Sequence, residues 1–163
     1  MPLMSDARRL DALVSPAGSP AAESTWLLGY LDEALIAVPR ACLLTVEQCP
    51  LSPAPPWAAP WVGALALHGA APVLALRLSG PAPAGAAVAT SGLIALMGDG
   101  SWGIWIDRLA GFSGGEDDTS ARRQLPVTWP CPISFLRALT LHDGRPAWSI
   151  DATAITARLC AVI

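Results

Sequence analysis

The 163-residue chain contains no lysine and no asparagine, a single tyrosine, Tyr30, and two phenylalanines, Phe112 and Phe135. Each absence closes a chemistry. Without lysine there is no Schiff-base enzyme, no phosphate-loop lysine and no kinase-type ATP lysine. Without asparagine there is no N-glycosylation acceptor. Charge is also scarce. Charged residues make up 14% of the chain, against about 25% in an ordinary soluble domain. A net charge of −3 and a pI near 5.2 provide no basic footprint for nucleic acid. The four cysteines, Cys42, Cys49, Cys131 and Cys160, include no Cys-x-x-Cys pair. Neither a zinc ribbon nor a thioredoxin-like site is therefore encoded, and they read as reduced thiols. Ala, Gly, Pro and Arg are plentiful, which matches a GC-rich coding bias.

What is present is hydrophobic: 53% of residues, including seven tryptophans. So apolar a chain has ample material for a core and some left for a surface that needs a partner. Residues 1–24 read as a flexible tail. Ser5 is placed to cap a short helix running to Val14, with Leu10, Leu13 and Val14 on one side, and SPAGSPAAES follows as a linker. No apolar run follows Arg8 and Arg9, so no secretory signal is expected and the chain is placed in the cytoplasm. The most membrane-like stretch, Trp57 to Leu78, is broken by Pro60, His68, Gly69 and Pro72 and reads as a hairpin, with no direct membrane insertion.

Residues 25–163 read as one domain of short strands. Trp26–Leu31 and Ala34–Val38 flank an Asp32-Glu33 turn. Pro39–Leu43 fits a helical turn, Leu44–Gln48 an extended segment, and PLSPAPPW (50–57) a rigid connector. Val62–His68 pairs with Val73–Leu78, Leu93–Met97 with Trp102–Ile106, and Phe135–Leu141 with Ala147–Ile150. GPAPAGAA (80–87) and residues 113–132 read as loops, and Ala152–Ile163 as a terminal helix or strand.

An internal repeat runs through these hairpins. WVGALALHGAAPVLAL (61–76) aligns without gaps with FLRALTLHDGRPAWSI (135–150), sharing Ala64/Ala138, Leu65/Leu139, Leu67/Leu141, His68/His142 and Pro72/Pro146. IAVPR (36–40) matches IWIDR (104–108) in the same order. The fold expected from this is mainly β: two small five-stranded barrels sharing a hydrophobic core, since closure removes exposed sheet edges.

Four segments together resemble the CheW-like domain of bacterial chemosensory systems: LIAVPRACLLTV (35–46), PWAAPWVGALALHGAAPVLAL (56–76), LIALMGDGSWGIWIDRLAG (93–111) and FLRALTLHDGRPAWSID (135–151). The resemblance covers about residues 26–160. It implies two SH3-like barrels and a non-catalytic adaptor without a cofactor. It implies as partners a CheA-type histidine kinase regulatory domain, a chemoreceptor cytoplasmic tip and CheW-like paralogues. The family usually has Asn-Leu-Arg-Gly where this chain has Ala66-Leu67-His68-Gly69, and Asp where it has Ala75. Histidine lacks the fixed, always charged fork of arginine, so receptor contact there is expected to differ.

The residues singled out for partner binding are Arg40, His68, Gly69, Trp105, Asp107 and Arg108. Arg40 and Arg108 are repeat mates that follow apolar strands. Trp105 lies on the opposite face of its strand from Trp102, Ile104 and Ile106. Two readings from other classes stand beside this one. A small hydrolase would use Cys42 or Ser101 as nucleophile, the first with His68 as base. A structural subunit of a membrane-associated assembly would turn its apolar surface to a permanent partner. A His68/His142 metal pair has no third ligand at a recognisable spacing.

Overall fold

The structure is a computed structural model. It describes residues 26–80, 89–114, 116–117, 133–142 and 144–162. The tail (1–24), most of the 80–87 loop and most of the 113–132 connection lie outside the described residues.

Short, largely apolar runs between turn-forming clusters form eleven strands among the described residues. They are β1 (Trp26–Leu31), β2 (Ala34–Pro39), β3 (Leu43–Pro53), β4 (Val62–His68), β5 (Ala71–Leu76), β6 (Ser91–Met97), β7 (Trp102–Ile106), β8 (Arg108–Ser113), β9 (Glu116–Asp117), β10 (Leu136–His142) and β11 (Arg145–Ile150). The described residues also include two 3-10 turns, Arg40–Cys42 and Ile133–Phe135, and one helix, α1 (Ala152–Val162). Asp151 caps α1 by accepting the Ala154 N–H at 3.0 Å.

Strands β3 to β7 close into a five-stranded barrel in the order β3-β4-β5-β7-β6. The other six form a sheet in the order β8-β1-β2-β11-β10-β9. Both have the same plan. In the barrel, the β4–β5 hairpin lies parallel to β7, which is antiparallel to β6. In the sheet, the β10–β11 hairpin lies parallel to β2, which is antiparallel to β1. These are the two pairs of segments that the repeat matched. The barrel is closed by one long strand: β3 pairs with β6 through Leu43–Pro50 and with β4 through Leu51–Pro53. In the second lobe, β8 and β9 form the two edges of the sheet. β8 pairs with β1, and β9 pairs with β10.

The expected mainly-β, two-lobe architecture therefore holds, but where two five-stranded barrels were expected, one lobe is a closed five-stranded barrel and the other a six-stranded sheet, with further differences in detail. Residues 50–53 continue β3 instead of forming a connector. Proline is tolerated there because the strand exchanges one partner for another at that point, where a missing donor costs least. β5 begins at Ala71, two residues before the expected start, and ends at Leu76. β8, unmarked by any alternation, and β9 fall where a loop was expected.

Among the described residues there are three buried apolar clusters. The largest lies between the lobes and includes Leu27, Ile36, Val62, Leu76, Met97, Trp102, Ile104, Ile106, Phe135 and Ile155. The barrel interior holds Cys49, Ala64, Ala66, Val73, Ala75, Ile94 and Leu96. The opposite face of the six-stranded sheet holds Trp26, Leu28, Leu35, Ala37 and Ala147. Burying one such aliphatic side chain contributes about 1.5–3 kcal/mol.

Candidate functional site

Two places on the surface gather the residues that the sequence singled out. The first is the seam where the chain leaves the barrel at β7 and enters the sheet at β8. Arg77, just after β5, reaches Asp107 Oδ1 at 2.8 Å and Asp32 Oδ1 at 3.0 Å. Its guanidinium carbon lies 5.1 Å from the centroid of the Trp105 ring. The Asp32 N–H donates to Asp107 Oδ2 at 2.8 Å, and the Asp107 N–H donates to the Tyr30 carbonyl at 2.8 Å. One residue on, the Arg108 guanidinium stacks over Tyr30 at 4.2 Å. A buried-stem arginine between two carboxylates thus ties the β1–β2 turn to the link between lobes.

This cluster explains the local backbone. Asp32 and Glu33 take φ of 46° and 69°, a left-handed turn without glycine. Such residues persist where surrounding contacts fix them, and here Asp107 and Arg77 hold Asp32 on both its backbone and its side chain. Trp105 is half-buried over two glycines. A methyl group on Gly92 would lie 2.6 Å from its Nε1, and one on Gly63 would lie 3.1 Å from its Cε3.

The second place is one end of the barrel, where β4 ends, β5 and β7 begin and β3 starts. His68 Nδ1 contacts Glu47 Oε1 across the gap left where the β3–β4 ladder stops at Leu51 and Ala66. Gly69 turns the chain with φ +62° in open space. Leu67 and Leu44 are 41% and 46% exposed there. The Cys49 thiol lies 3.7 Å from the same Glu47 oxygen. Its burial, reinforced by the Glu47 charge, pushes its pKa up to about 11, so it stays protonated. On the neighbouring β6–β7 turn, the Asp99 carboxyl accepts from Ser101, which lowers its pKa.

The structure therefore brings Trp105, Asp107 and Arg108 together at the seam and His68 and Gly69 together at the barrel end. Arg40 sits half-buried on the 3-10 turn between β2 and β3, unlike its exposed repeat mate Arg108. Arg77, Asp32, Tyr30 and Glu47 are the members that sequence reasoning missed. The Asp32-Glu33 turn, placed correctly but lacking glycine, was the signal for the seam.

The side-chain hydrogen bonds of the two histidines include Glu47 for His68 and Thr140 and Ser149 for His142. His142 and Ser149 are fully buried and Thr140 nearly so. No group of three His, Cys, Asp or Glu side chains among the described residues is arranged to hold a metal ion. No helix among them is long and apolar enough to cross a membrane.

A solved structure similar to this one is the scaffolding protein TtCheW from Thermoanaerobacter tengcongensis. The TM-score is 0.53 at 14% identity, over 79% of this chain and 89% of that chain. The fold is CheW-like. No family model and no curated protein sequence matches the chain.

Proposed function

We propose that this protein is a non-catalytic adaptor of a bacterial chemosensory complex, working in the cytoplasm by binding alone, with neither cofactor nor turnover. It would couple a chemoreceptor cytoplasmic tip to the regulatory domain of a CheA-type histidine kinase. The observation that carries this reading is the CheW-like pair of β lobes around one shared core, found together with the four ordered sequence segments.

The surface chemistry supports it. Between Arg40 and Arg77 the only charged residue is Glu47, and His68 contacts it. A surface so poor in charge suits protein contact more than nucleic acid. In this reading, His68 and Gly69 face one partner from the barrel end. Asp107 and Arg108 face another from the seam, with Arg40 on the turn between the lobes. Trp105 acts there as a positioning residue, through the ring that supports Arg77. Because His68 replaces the always charged arginine of the usual motif, contact at the barrel end depends more on apolar burial than on a fixed ion pair.

The test is isothermal titration of the full chain against two purified partners from the same genome, the kinase regulatory domain and a receptor cytoplasmic fragment. Binding to both is expected. Arg108→Glu should weaken one interaction and Leu67→Ser the other. Failure of the intact chain to bind either partner sinks the adaptor reading.

A further inference from the structure

We propose that this chain pairs with a second copy of itself by exchanging halves. Each two-lobed body of the dimer then takes residues 26–80 from one copy and residues 89–162 from the other. Three observations lead there.

The two repeat units cross between the two lobes. The first unit, β1–β5, supplies β3, β4 and β5 to the barrel but β1 and β2 to the sheet. The second unit, β6–α1, supplies β6 and β7 to the barrel but β8 to β11 to the sheet. Each unit thus lends a hairpin to the lobe that the other mostly builds. Among the described residues, four ladders join the units: β1–β8, β2–β11, β3–β6 and β5–β7. The shared core is also common property, with Ile36, Val62 and Leu76 of the first unit beside Ile104, Phe135 and Ile155 of the second.

The covalent connection between the units is one short run, residues 81–88. β5 and β6 flank β7, two strand spacings or about 10 Å apart. β5 is parallel to β7 and β6 antiparallel to it, so β5 ends where β6 begins. The nine steps from Gly80 to Ala89 extend to at most about 30 Å. That reach permits entry into an adjoining body at this end as well as return to the same one.

A second copy presents the same four ladders and the same apolar faces, so exchange loses no contact between units. Such reciprocal exchange is a low-cost route to dimers. What favours closure within one chain is the tether, which holds the second unit at an effective concentration of about 1 mM. One ion pair crosses the boundary and gives a handle on it: Arg77, in the first unit, meets Asp107, in the second, at 2.8 Å. The inference rests on topology and holds whatever the protein binds.

The experiment uses two full-length variants, Arg77→Asp and Asp107→Arg. Closed on itself, the first gathers three carboxylates at the seam and the second sets two guanidinium groups together. Exchange between the two variants rebuilds the original pair in one body and its reverse in the other. The variants are unfolded together in urea, refolded, and read by native mass spectrometry. A one-to-one heterodimer is expected, at least tenfold more abundant than the dimer of either variant refolded alone. It should persist for hours after dilution, because separation requires unfolding. The unchanged chain refolded at about 1 mM, where a second copy competes with the tether, should also give a dimer that survives dilution. Its absence overturns the proposal, whether or not the variants fold. Monomers alone in the refolded mixture overturn it too, as does a dimer that separates at once on dilution, which assigns the contact to outer surfaces.

Discussion

Gly103 is the tightest position in the barrel. A methyl group there would meet Ile94 Cγ2 at 2.5 Å and the Ala95 carbonyl oxygen at 2.8 Å, and the second of these is backbone that cannot step aside. Gly103→Ala should therefore destabilise by about 2–3 kcal/mol in urea unfolding, as overpacking does. Gly69→Ala meets no neighbour but must hold φ +62°, so it should cost only about 1–2 kcal/mol. At the seam, Arg77→Ala leaves Asp32 and Asp107 facing each other without their cation. Their partial exposure lets water screen the pair, so a loss of about 1–2 kcal/mol is expected by the same measurement. Cys49 makes a prediction in pH. Its thiol keeps its proton up to about 11 in the folded chain, against an ordinary 9.0. Between those values the unfolded chain binds fewer protons than the folded one, so stability falls as pH rises through that window. Cys49→Ala should flatten that part of the curve. With iodoacetamide at pH 9.5, exposed Cys160 should be alkylated while buried Cys49 is spared, as read by mass spectrometry.

At the scale of elements, legibility followed local chemistry. The hairpins β4–β5, β6–β7 and β10–β11 were readable because alternation and glycine-bearing turns state them within about fifteen residues. β3 was readable only in part. Pro50 and Pro53 look like breakers, and the change of partner that tolerates them is a tertiary fact. β8 was invisible because RLAGFS has no alternation and owes its form to pairing with β1, about eighty residues earlier. Arg77 was missed for the same reason: its carboxylate at Asp32 stands 45 residues away. The end of α1 is more local. Asp151→Ala removes the bond to the Ala154 N–H and should cost about 1 kcal/mol in thermal unfolding.

For the whole molecule, the repeat legible in the sequence corresponds to a shared topology with different fillings. Ala66 and Ala75 line the barrel interior, while their repeat mates Thr140 and Ser149 join His142 in a buried hydrogen-bonded set. Thr140 Oγ1 lies 2.7 Å from both His142 Nε2 and Ser149 Oγ. Alanine at the barrel positions leaves no polar group to satisfy. In the other lobe, replacing Thr140 removes the 2.7 Å partner of both neighbours and leaves them a longer, 3.4 Å contact with each other. Thr140→Val should therefore destabilise by about 1–3 kcal/mol, more than Ala66→Gly removes by the loss of one methyl.

The barrel is one unbroken stretch, Leu43 to Ile106, whereas the other lobe is made from what comes before it and what comes after. A growing chain can therefore close the barrel as soon as β7 has emerged. The β1–β2 hairpin, made first, must wait for β8 through β11 before its sheet is complete. The early lobe in sequence is the late lobe in assembly. A pull on the two chain ends would open that lobe first and leave the barrel, tied between interior residues, to yield last.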